Sequence, residues 1–302
     1  MKRSGFRSGF VTIVGRPNVG KSTLMNHLIG QKIAITSRKP QTTRNAIRTV
    51  YTDDEAQLVF VDTPGVQKAR NKLGEYMMRS VRGAMADVDV IIWVTAADAP
   101  IGEADMTLAK KLQSMDTPVI LVVNKIDKVS RAELPERVQA YASLGDFDDV
   151  VPVSAKQDTN VSEIIACAKK YLPEGEMFFD ADTVTDQPMK QISAEIIREK
   201  ALRNLGQEIP HGIAVAIERM EYDERGGMYH IDATIICEKD SHKGIIIGKK
   251  GSMLKKIGTE ARIDIEELTE ARVDLQTHVK VKKDWRDSDI LLKNYGYDKK
   301  EL

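Results

Sequence analysis

Five short apolar runs, separated by helical patterns, dominate the first 172 residues of this 302-residue chain. The runs cover residues 10–14, 57–61, 89–94, 118–123 and 150–153, and the helical patterns cover residues 21–30, 71–84, 103–114, 131–143 and 161–171. Near-continuous Val and Ile runs are typical of strands buried on both faces, and their alternation with helices predicts a doubly wound, mostly parallel α/β sheet. In such folds the binding residues lie where strands end and loops begin.

Residues 173–189 break this alternation. They contain two prolines and five acidic residues, and we interpret them as a linker between a first domain (1–172) and a second domain (190–302). The second domain shows a helix, two strands, two helices and a final strand, which predicts a compact α+β fold. These elements are expected at residues 190–205, 212–221, 229–237, 243–269 and 274–283.

Composition alone excludes little. Lys+Arg and Asp+Glu both number 45, so any preference for nucleic acid must come from local charge clusters. The two cysteines match no metal spacing, the N-terminus lacks the apolar core of a signal peptide, and no apolar run is long enough to span a bilayer. A cytoplasmic protein is therefore expected.

The stretch GRPNVGKS (15–22) follows the first predicted strand and opens a helix. It fits the Gly-x4-Gly-Lys-[Ser/Thr] pattern, in which backbone N–H groups surround phosphates, the lysine reaches the β and γ phosphates, and the hydroxyl binds Mg²⁺. A structural glycine turn is the alternative. The predicted nucleotide contacts are Gly15, Arg16, Pro17, Asn18, Val19, Gly20, Lys21, Ser22 and Thr23.

The stretch DTPGV (62–66) ends the second apolar run. Asp62 fits the position that holds Mg²⁺ through water, and the Gly65 amide is expected at the γ-phosphate. The other predicted nucleotide contacts in this loop are Thr63, Pro64 and Val66. Many GTP-binding proteins carry a water-orienting Gln at the position of Val66, whose side chain cannot hydrogen-bond a water.

Two further motifs follow later strands. Asp127 of NKID (124–127) can accept hydrogen bonds from N1–H and N2–H₂ of guanine, which adenine does not offer, so this motif favours GTP over ATP. Asn124 is expected either at N7 of the base or as a brace for the phosphate loop, and Lys125 along the base plane beside Ile126. SAK (Ser154, Ala155 and Lys156) would supply a backbone amide to guanine O6.

The Thr-rich segment of residues 31–50 lies between the phosphate loop and Asp62. A hydroxyl in this segment should complete the Mg²⁺ shell when the γ-phosphate is present, and the segment should order with GTP and loosen after hydrolysis. We favour Thr43, with Thr42 as the alternative. The predicted catalytic residues are Lys21, Thr43, Asp62 and Gly65, and the predicted Mg²⁺ ligands are Ser22, Thr43 and Asp62.

The stretch GIIIGKKGSMLKKIG (244–258) carries a Gly-x-x-Gly turn between apolar residues and a helical pattern. Glycines there allow a sugar–phosphate backbone to approach, lysines supply charge, and apolar residues flank a groove for unstacked bases. A solvated basic helix face is the alternative. The predicted RNA contacts are Lys243, Ile246, Ile247, Gly248, Lys249, Lys250, Gly251 and Lys255.

Together these motifs resemble the Era family of bacterial GTPases, whose pattern also includes KPQTTR (39–44), SAEIIREK (193–200) and ERGG (224–227). The resemblance covers nearly the whole chain. It implies a P-loop GTPase domain followed by a KH domain that binds the 3′ region of 16S ribosomal RNA during assembly of the small ribosomal subunit. It also implies partial association with the inner membrane, and we expect a monomer.

Related GTPases with an Asn at the position of Asn18 use it to bind K⁺. We therefore hypothesise that Asn18 and residues 31–42 hold K⁺ where other GTPases place an arginine. The expected function is a nucleotide-gated RNA-binding factor that uses GTP or GDP with Mg²⁺. The alternatives are a regulatory GTPase whose second domain docks a protein or membrane partner, and an RNA-modifying enzyme, for which the sequence shows no motif.

Overall fold

The computed structural model describes residues 5–37, 39, 42–206 and 209–297, without the side chains of Pro210 and His211. It divides into two compact units. The first comprises Met1–Ala34, Thr43–Lys68 and Met77–Asp186, and the second comprises Ile35–Thr42, Ala69–Tyr76 and Gln187–Leu302. Two short segments that precede residue 173 therefore belong to the second unit, a feature that the sequence did not predict.

The first unit is built on a six-stranded sheet with the strand order β2-β3-β1-β4-β5-β6. Its strands are β1 (Arg7–Val14), β2 (Ile47–Thr52), β3 (Ala56–Asp62), β4 (Val90–Ala96), β5 (Val119–Asn124) and β6 (Asp149–Pro152). The helices over the same stretch of chain are α1 (Lys21–Ile29), α2 (Lys72–Ala84), α3 (Glu103–Leu112), α4 (Leu134–Ala142) and α5 (Val161–Tyr171). All neighbouring strands are parallel except β2, which runs antiparallel to β3. The predicted α/β class is confirmed.

The Val and Ile runs form the centre of this sheet. Every residue of β3, β4 and β5 is buried, as strands covered by helices on both faces require. Trp93 of β4 is fully buried and packs edge-on against Tyr141 of α4, with 6.3 Å between ring centroids. Because the central strands are held rigidly, the loops at their carboxyl ends have fixed starting points.

Strand β2 is absent from the sequence prediction. Ile47, Thr49 and Val50 are buried in it, while Arg48 is exposed. It lies at the edge of the sheet, pairs with β3 alone in that sheet, and follows a polar, Thr-rich stretch, so its pattern is weak in the sequence.

Residues 173–186 pack along the first unit and do not form a free linker. The fully buried Gln57 side chain accepts hydrogen bonds from the amides of Phe178 (2.7 Å) and Phe179 (3.0 Å), and the Val50 amide donates to the Val184 carbonyl (2.8 Å). The limits of the two domains remain a prediction, but the stretch up to Asp186 belongs to the first unit.

The second unit contains a three-stranded sheet with the order β7-β8-β9. Its elements after residue 187 are α6 (Met189–Asn204), β7 (Ala214–Asp223), β8 (Met228–Cys237), α7 (Asp240–Ile247), α8 (Ser252–Thr269), β9 (Arg272–Val281) and α9 (Asp289–Asn294). β7 and β8 are antiparallel, whereas β8 and β9 are parallel. The order of helix, two strands, two helices and strand is the predicted one. In the described part of the chain, every helix is too short or too polar to cross a lipid bilayer.

Candidate functional site

The phosphate loop joins β1 to α1 and needs glycine at its start. Gly15 has a φ of 151°, and a Cβ there would lie 2.2 Å from the Val94 carbonyl oxygen, so no other residue fits. The Lys21 ammonium donates to the carbonyls of Gly15 (3.2 Å) and Arg16 (3.0 Å) across the loop. Burial lowers the pKa of Lys21 to about 8, although the nearby Asp62 charge acts in the opposite direction. The lysine is thus held at the mouth of a loop whose N–H groups can surround an anion.

Ser22, Thr43 and Asp62 converge on one point. The Ser22 hydroxyl donates to Oδ2 of Asp62 (2.9 Å) and lies 2.8 Å from the Thr43 hydroxyl, which itself donates to Asp62 (3.3 Å). Asp62 is fully buried, burial raises its pKa, and its Oδ1 has no hydrogen-bond partner in the described residues. Two hydroxyls and a buried carboxylate with an unused oxygen are a set of hard oxygen ligands that fits Mg²⁺.

The DTPGV loop lies directly against the phosphate loop. A Cβ on Gly65 would lie 2.7 Å from the backbone nitrogen of Pro17, so the close approach of the two loops requires glycine. The Val66 amide donates to the Gly15 carbonyl (3.0 Å), and the Thr63 hydroxyl donates to the Ile13 carbonyl (2.7 Å). Val66 packs its side chain against the hydrophobic core of the first unit. It therefore offers no polar side-chain group to a water.

Asn124 at the end of β5 braces three loops. Its Nδ2 donates to the Val19 carbonyl (2.8 Å), while its Oδ1 accepts from the amides of Lys125 (2.7 Å) and Ala155 (3.0 Å). Of the two roles considered for Asn124, the geometry therefore favours the brace. The Ser154 hydroxyl, in turn, donates to Oδ1 of the Asp127 carboxylate (2.7 Å).

The other predicted contacts lie around this centre. Pro64 is buried, Ile126 is half-buried, and Lys156 is exposed; Thr23 lies in the first turn of α1. Asn18 is exposed with a φ of 65° at the turn of the phosphate loop. Of residues 31–42, Arg38, Pro40 and Gln41 lie outside the described residues. Thr42 donates its hydroxyl to the Lys39 carbonyl (2.7 Å), so Thr43, and not Thr42, joins the cluster with Asp62.

The side chain of Arg16 has a partner that sequence reasoning missed. Its Nε lies 2.9 Å from Oδ1 of the buried Asp105 near the start of α3, and its Nη2 donates to the Pro100 carbonyl (3.1 Å). Burial raises the pKa of Asp105, while the Gly102 amide and the Arg16 charge act in the opposite direction. Arg16 thus fixes the phosphate loop to α3 through its side chain, and only its backbone remains for a phosphate. The sequence signal for this partner is Gly-x-x-Asp (102–105), which places an acidic residue in the first turn of a helix.

The Gly-Lys-Lys-Gly turn joins α7 to α8 in the second unit. Gly248 has a φ of 73°, and a Cβ there would lie 2.7 Å from that of Met253; Gly251 has a φ of 79°. Lys249 and Lys250 are exposed at this turn. The glycines therefore shape a tight connection that presents two ammonium groups to solvent.

The remaining residues predicted to contact RNA differ in exposure. Lys255 is exposed, while Lys243 and Ile247 are partly buried. Ile246 is fully buried, so in this conformation its side chain belongs to the core and cannot line a groove. Its neighbour Ile245 is 49% exposed, so its side chain is accessible to solvent. The prediction for Ile246 is corrected accordingly, because a run of three isoleucines does not reveal which one faces inward.

The fold and this site define a GTP-hydrolysing P-loop protein with a C-terminal KH domain. Residues 10–125 match the family model described as 50S ribosome-binding GTPase, and residues 208–286 match that of the KH domain. The chain belongs to the Era family of GTPases. It is 50% identical to GTPase Era of Clostridium kluyveri over 96% of this chain and 99% of that protein, and 51% identical to GTPase Era of Clostridium acetobutylicum over 97% and 98%.

Solved structures agree with this assignment. A variant of Aquifex aeolicus Era bound to GDP and AlF4⁻ is 36% identical, with a TM-score of 0.93 and coverage of 97% of this chain and 100% of that one. Era in complex with MgGDPNP and nucleotides 1506–1542 of 16S ribosomal RNA is 37% identical, with a TM-score of 0.93 and coverage of 97% and 99%.

Proposed function

We propose that this GTPase is a nucleotide-gated RNA-binding factor that binds the 3′ region of 16S ribosomal RNA and assists assembly of the small ribosomal subunit. The observation that carries the proposal is the presence, in one chain, of the Ser22–Thr43–Asp62 cluster and of the Gly-Lys-Lys-Gly turn. A relative with the same fold in complex with that RNA region supports the choice of RNA.

In the first unit, we assign the nucleotide as follows. The phosphate-loop amides and Lys21 bind the β and γ phosphates, and the Gly65 amide meets the γ-phosphate. Asp127, oriented by Ser154, accepts the hydrogen bonds of guanine. Ser22, Thr43 and Asp62 hold Mg²⁺ directly or through water. When bound, Mg²⁺ supplies positive charge that offsets the charge developing on the phosphates.

We further propose that K⁺ supplies the positive charge that stabilises the transition state, since the Val66 side chain offers no polar group to the reaction. Asn18 stands exposed at the turn of the phosphate loop and offers an amide oxygen. Carbonyls of residues 31–42 would complete the site. A cation at this point would lie where an arginine finger acts in other GTPases.

RNA binding by the second unit is tested with Lys249→Asp/Lys250→Asp. Asp is chosen because Lys250 has a φ of 51°, which Asp tolerates better than most residues. The probe is a single-stranded RNA with the sequence of nucleotides 1506–1542. The control, Lys110→Asp/Lys111→Asp, makes the same charge change on exposed lysines of α3.

We expect the Lys249/Lys250 variant to bind the probe at least about 30-fold more weakly. Its salt dependence should also fall by about 1.4 in the slope of log K against log salt, since about 0.7 is lost for each phosphate contact. The control should bind like the wild type. Equal binding by all three proteins would overturn the RNA assignment and favour a second domain that docks a protein or membrane partner.

A cytoplasmic monomer that associates in part with the inner membrane completes the proposal. This part is supported by the family resemblance alone. Sedimentation of the purified protein, with and without vesicles of anionic lipid, would test both the monomer and the membrane association.

A further inference from the structure

The segment Ile35–Thr42 belongs to the second unit, although the residues on both sides of it belong to the first. The chain leaves the first unit after Ala34 and returns at Thr43, whose hydroxyl contacts Ser22 and Asp62. Thus a residue proposed to bind Mg²⁺ is joined by one peptide bond to a residue whose neighbours lie in the KH-containing unit.

Two buried charges of α6 hold this segment. The Glu199 carboxylate, which is fully buried, accepts hydrogen bonds from the Thr36 amide (2.7 Å) and the Thr36 hydroxyl (3.2 Å). The Arg198 guanidinium, 1% exposed, donates to the Thr42 carbonyl and is itself held by Glu195, with its Nε 2.8 Å from Oε1. Both ends of the segment are therefore bonded to adjacent residues of one helix.

Other contacts support the same placement. Arg203 donates to both the Thr36 hydroxyl (3.0 Å) and Glu199 (2.9 Å), and the Lys39 ammonium donates to the Leu205 carbonyl just after α6. Buried charges are costly to a fold unless they are paired and hydrogen-bonded. Displacing the segment would remove donors from Glu199 and an acceptor from Arg198, so the helix favours the segment in this position.

We propose that Arg198 and Glu199 are positioning residues for the GTPase site: by fixing Thr36 and Thr42, they set the position of Thr43 for Mg²⁺. Consecutive Cα atoms are about 3.8 Å apart, so a fixed Thr42 limits where the backbone of Thr43 can lie. The inference rests on the proposed role of Thr43 at Mg²⁺, and it names the residues that would connect this site to the proposed nucleotide gating. Linkage then requires that whatever moves α6 alters Mg²⁺–GTP binding, and that Mg²⁺–GTP binding in turn alters the equilibrium of α6.

The test is Arg198→Met, which keeps an unbranched side chain and removes the charged donor. Lys200→Met is the control, because Lys200 is also a buried cation of α6 and bonds Asp264 of α8. Lys200 also lies 3.7 Å from Oε2 of Glu199, but Thr36 bonds the other carboxylate oxygen, Oε1, so the contacts of the segment are kept. The primary readout is the Mg²⁺ concentration that gives half-maximal GTP hydrolysis. The loss of one charge-assisted bond should raise it about tenfold in Arg198→Met. This Mg²⁺ concentration should change less than twofold in Lys200→Met. The affinity for GDP should be unchanged in both variants.

Arg198→Lys guards against failure to fold. It retains a buried cation that can reach a carbonyl, and we expect it to restore a Mg²⁺ requirement between those of the wild type and Arg198→Met. A Mg²⁺ requirement equal to that of the wild type in folded Arg198→Met, or an equal increase in Lys200→Met, would overturn the proposal.

A second measurement separates the proposed nucleotide gating from the proposed positioning role of Arg198 and Glu199. It is the ratio of the RNA affinity with a GTP analogue to the RNA affinity with GDP. If the wild type shows a ratio well above one and Arg198→Met shows the same ratio, gating stands and the α6 inference fails. If the wild type itself shows a ratio of one, gating fails, and the Mg²⁺ requirement alone decides whether Arg198 positions Thr43.

Discussion

The Ser154 hydroxyl donates a 2.7 Å hydrogen bond to Oδ1 of Asp127. This bond fixes the rotation of the carboxylate that we assign to the N1–H and N2–H₂ edge of guanine. Ser154 is itself fully buried and sits in a turn closed by the Thr159 amide, so the bond has little freedom. Base selection thus depends on a residue that need not touch the base with its side chain.

Ser154→Ala should weaken GDP binding about tenfold, because one hydrogen bond to a charged acceptor is lost and the carboxylate can rotate. The measurement is titration with a fluorescent GDP. The control is Ser143→Ala, which removes a Ser hydroxyl that donates to the Ala140 carbonyl at the end of α4. Unchanged GDP affinity in Ser154→Ala would show that the carboxylate needs no orientation from Ser154.

Thr43 and Thr42 provide a matched pair for the Mg²⁺ cluster. Thr43→Val should weaken Mg²⁺-dependent binding of a GTP analogue at least about tenfold and leave GDP binding within about twofold, because the hydroxyl is needed when the γ-phosphate is present. Thr42→Val, which removes a hydroxyl directed to the Lys39 carbonyl, should bind both nucleotides normally. Equal effects of the two substitutions on the GTP analogue would argue against the assignment of Thr43.

K⁺ should accelerate GTP hydrolysis. Steady-state rates in KCl and NaCl at matched ionic strength should differ about tenfold or more, since a fixed charge at the transition state is worth at least that much. Asn18→Ala should remove most of the difference. Equal slow rates in both salts would place the missing charge on a bound RNA or a ribosomal partner.

Asp53 should contribute to stability at neutral pH and lose that contribution in acid. Burial alone would raise the pKa of Asp53, but hydrogen bonds from Lys169, from the amides of Glu55 and Ala56, and from Tyr51 lower it overall. A lowered pKa gives stability that is present above the unfolded value, about 3.9, and is lost as pH falls through the folded value. Asp53→Asn should therefore cost about 1.5 kcal/mol at pH 7 and progressively less below pH ~4.

Urea unfolding from pH 7 to pH 3 measures this difference. Glu163→Gln on α5 removes an exposed carboxylate as a control and should change the free energy of unfolding little at any pH. A difference between Asp53→Asn and the wild type that stays constant down to pH 3 would contradict the assigned role of the Asp53 charge.

Much of the first unit follows from the sequence because its central strands are buried on both faces. Val and Ile runs of this kind, alternating with helices, indicate a doubly wound α/β sheet. The nucleotide-binding motifs then lie at the ends of its strands. Strand β2 was missed because an edge strand, which pairs with one neighbour in the sheet, needs fewer apolar residues than a central strand. Its sequence pattern is therefore weaker. The partner of the Arg16 side chain was missed because a phosphate-loop position does not reveal that Asp105 lies within reach.

The role of α6 was beyond sequence reasoning for a different reason. In the sequence, Arg198 and Glu199 are ordinary charged residues of a predicted helix, and only their burial shows that they have dedicated partners. Those partners, Thr36 and Thr42, lie more than 150 positions earlier in the chain. Local sequence patterns carry no information on contacts between residues so far apart in the chain. The Gly-Lys-Lys-Gly turn, by contrast, is a local motif and could be predicted.

The central claim is that nucleotide state controls RNA binding. The most direct measurement is the affinity of the wild-type protein for the RNA of nucleotides 1506–1542, with saturating GDP and with a saturating non-hydrolysable GTP analogue, at one salt and Mg²⁺ concentration. The account predicts at least about tenfold tighter binding with the analogue, a coupling typical of allosteric proteins. Identical affinities in the two nucleotide states would contradict it.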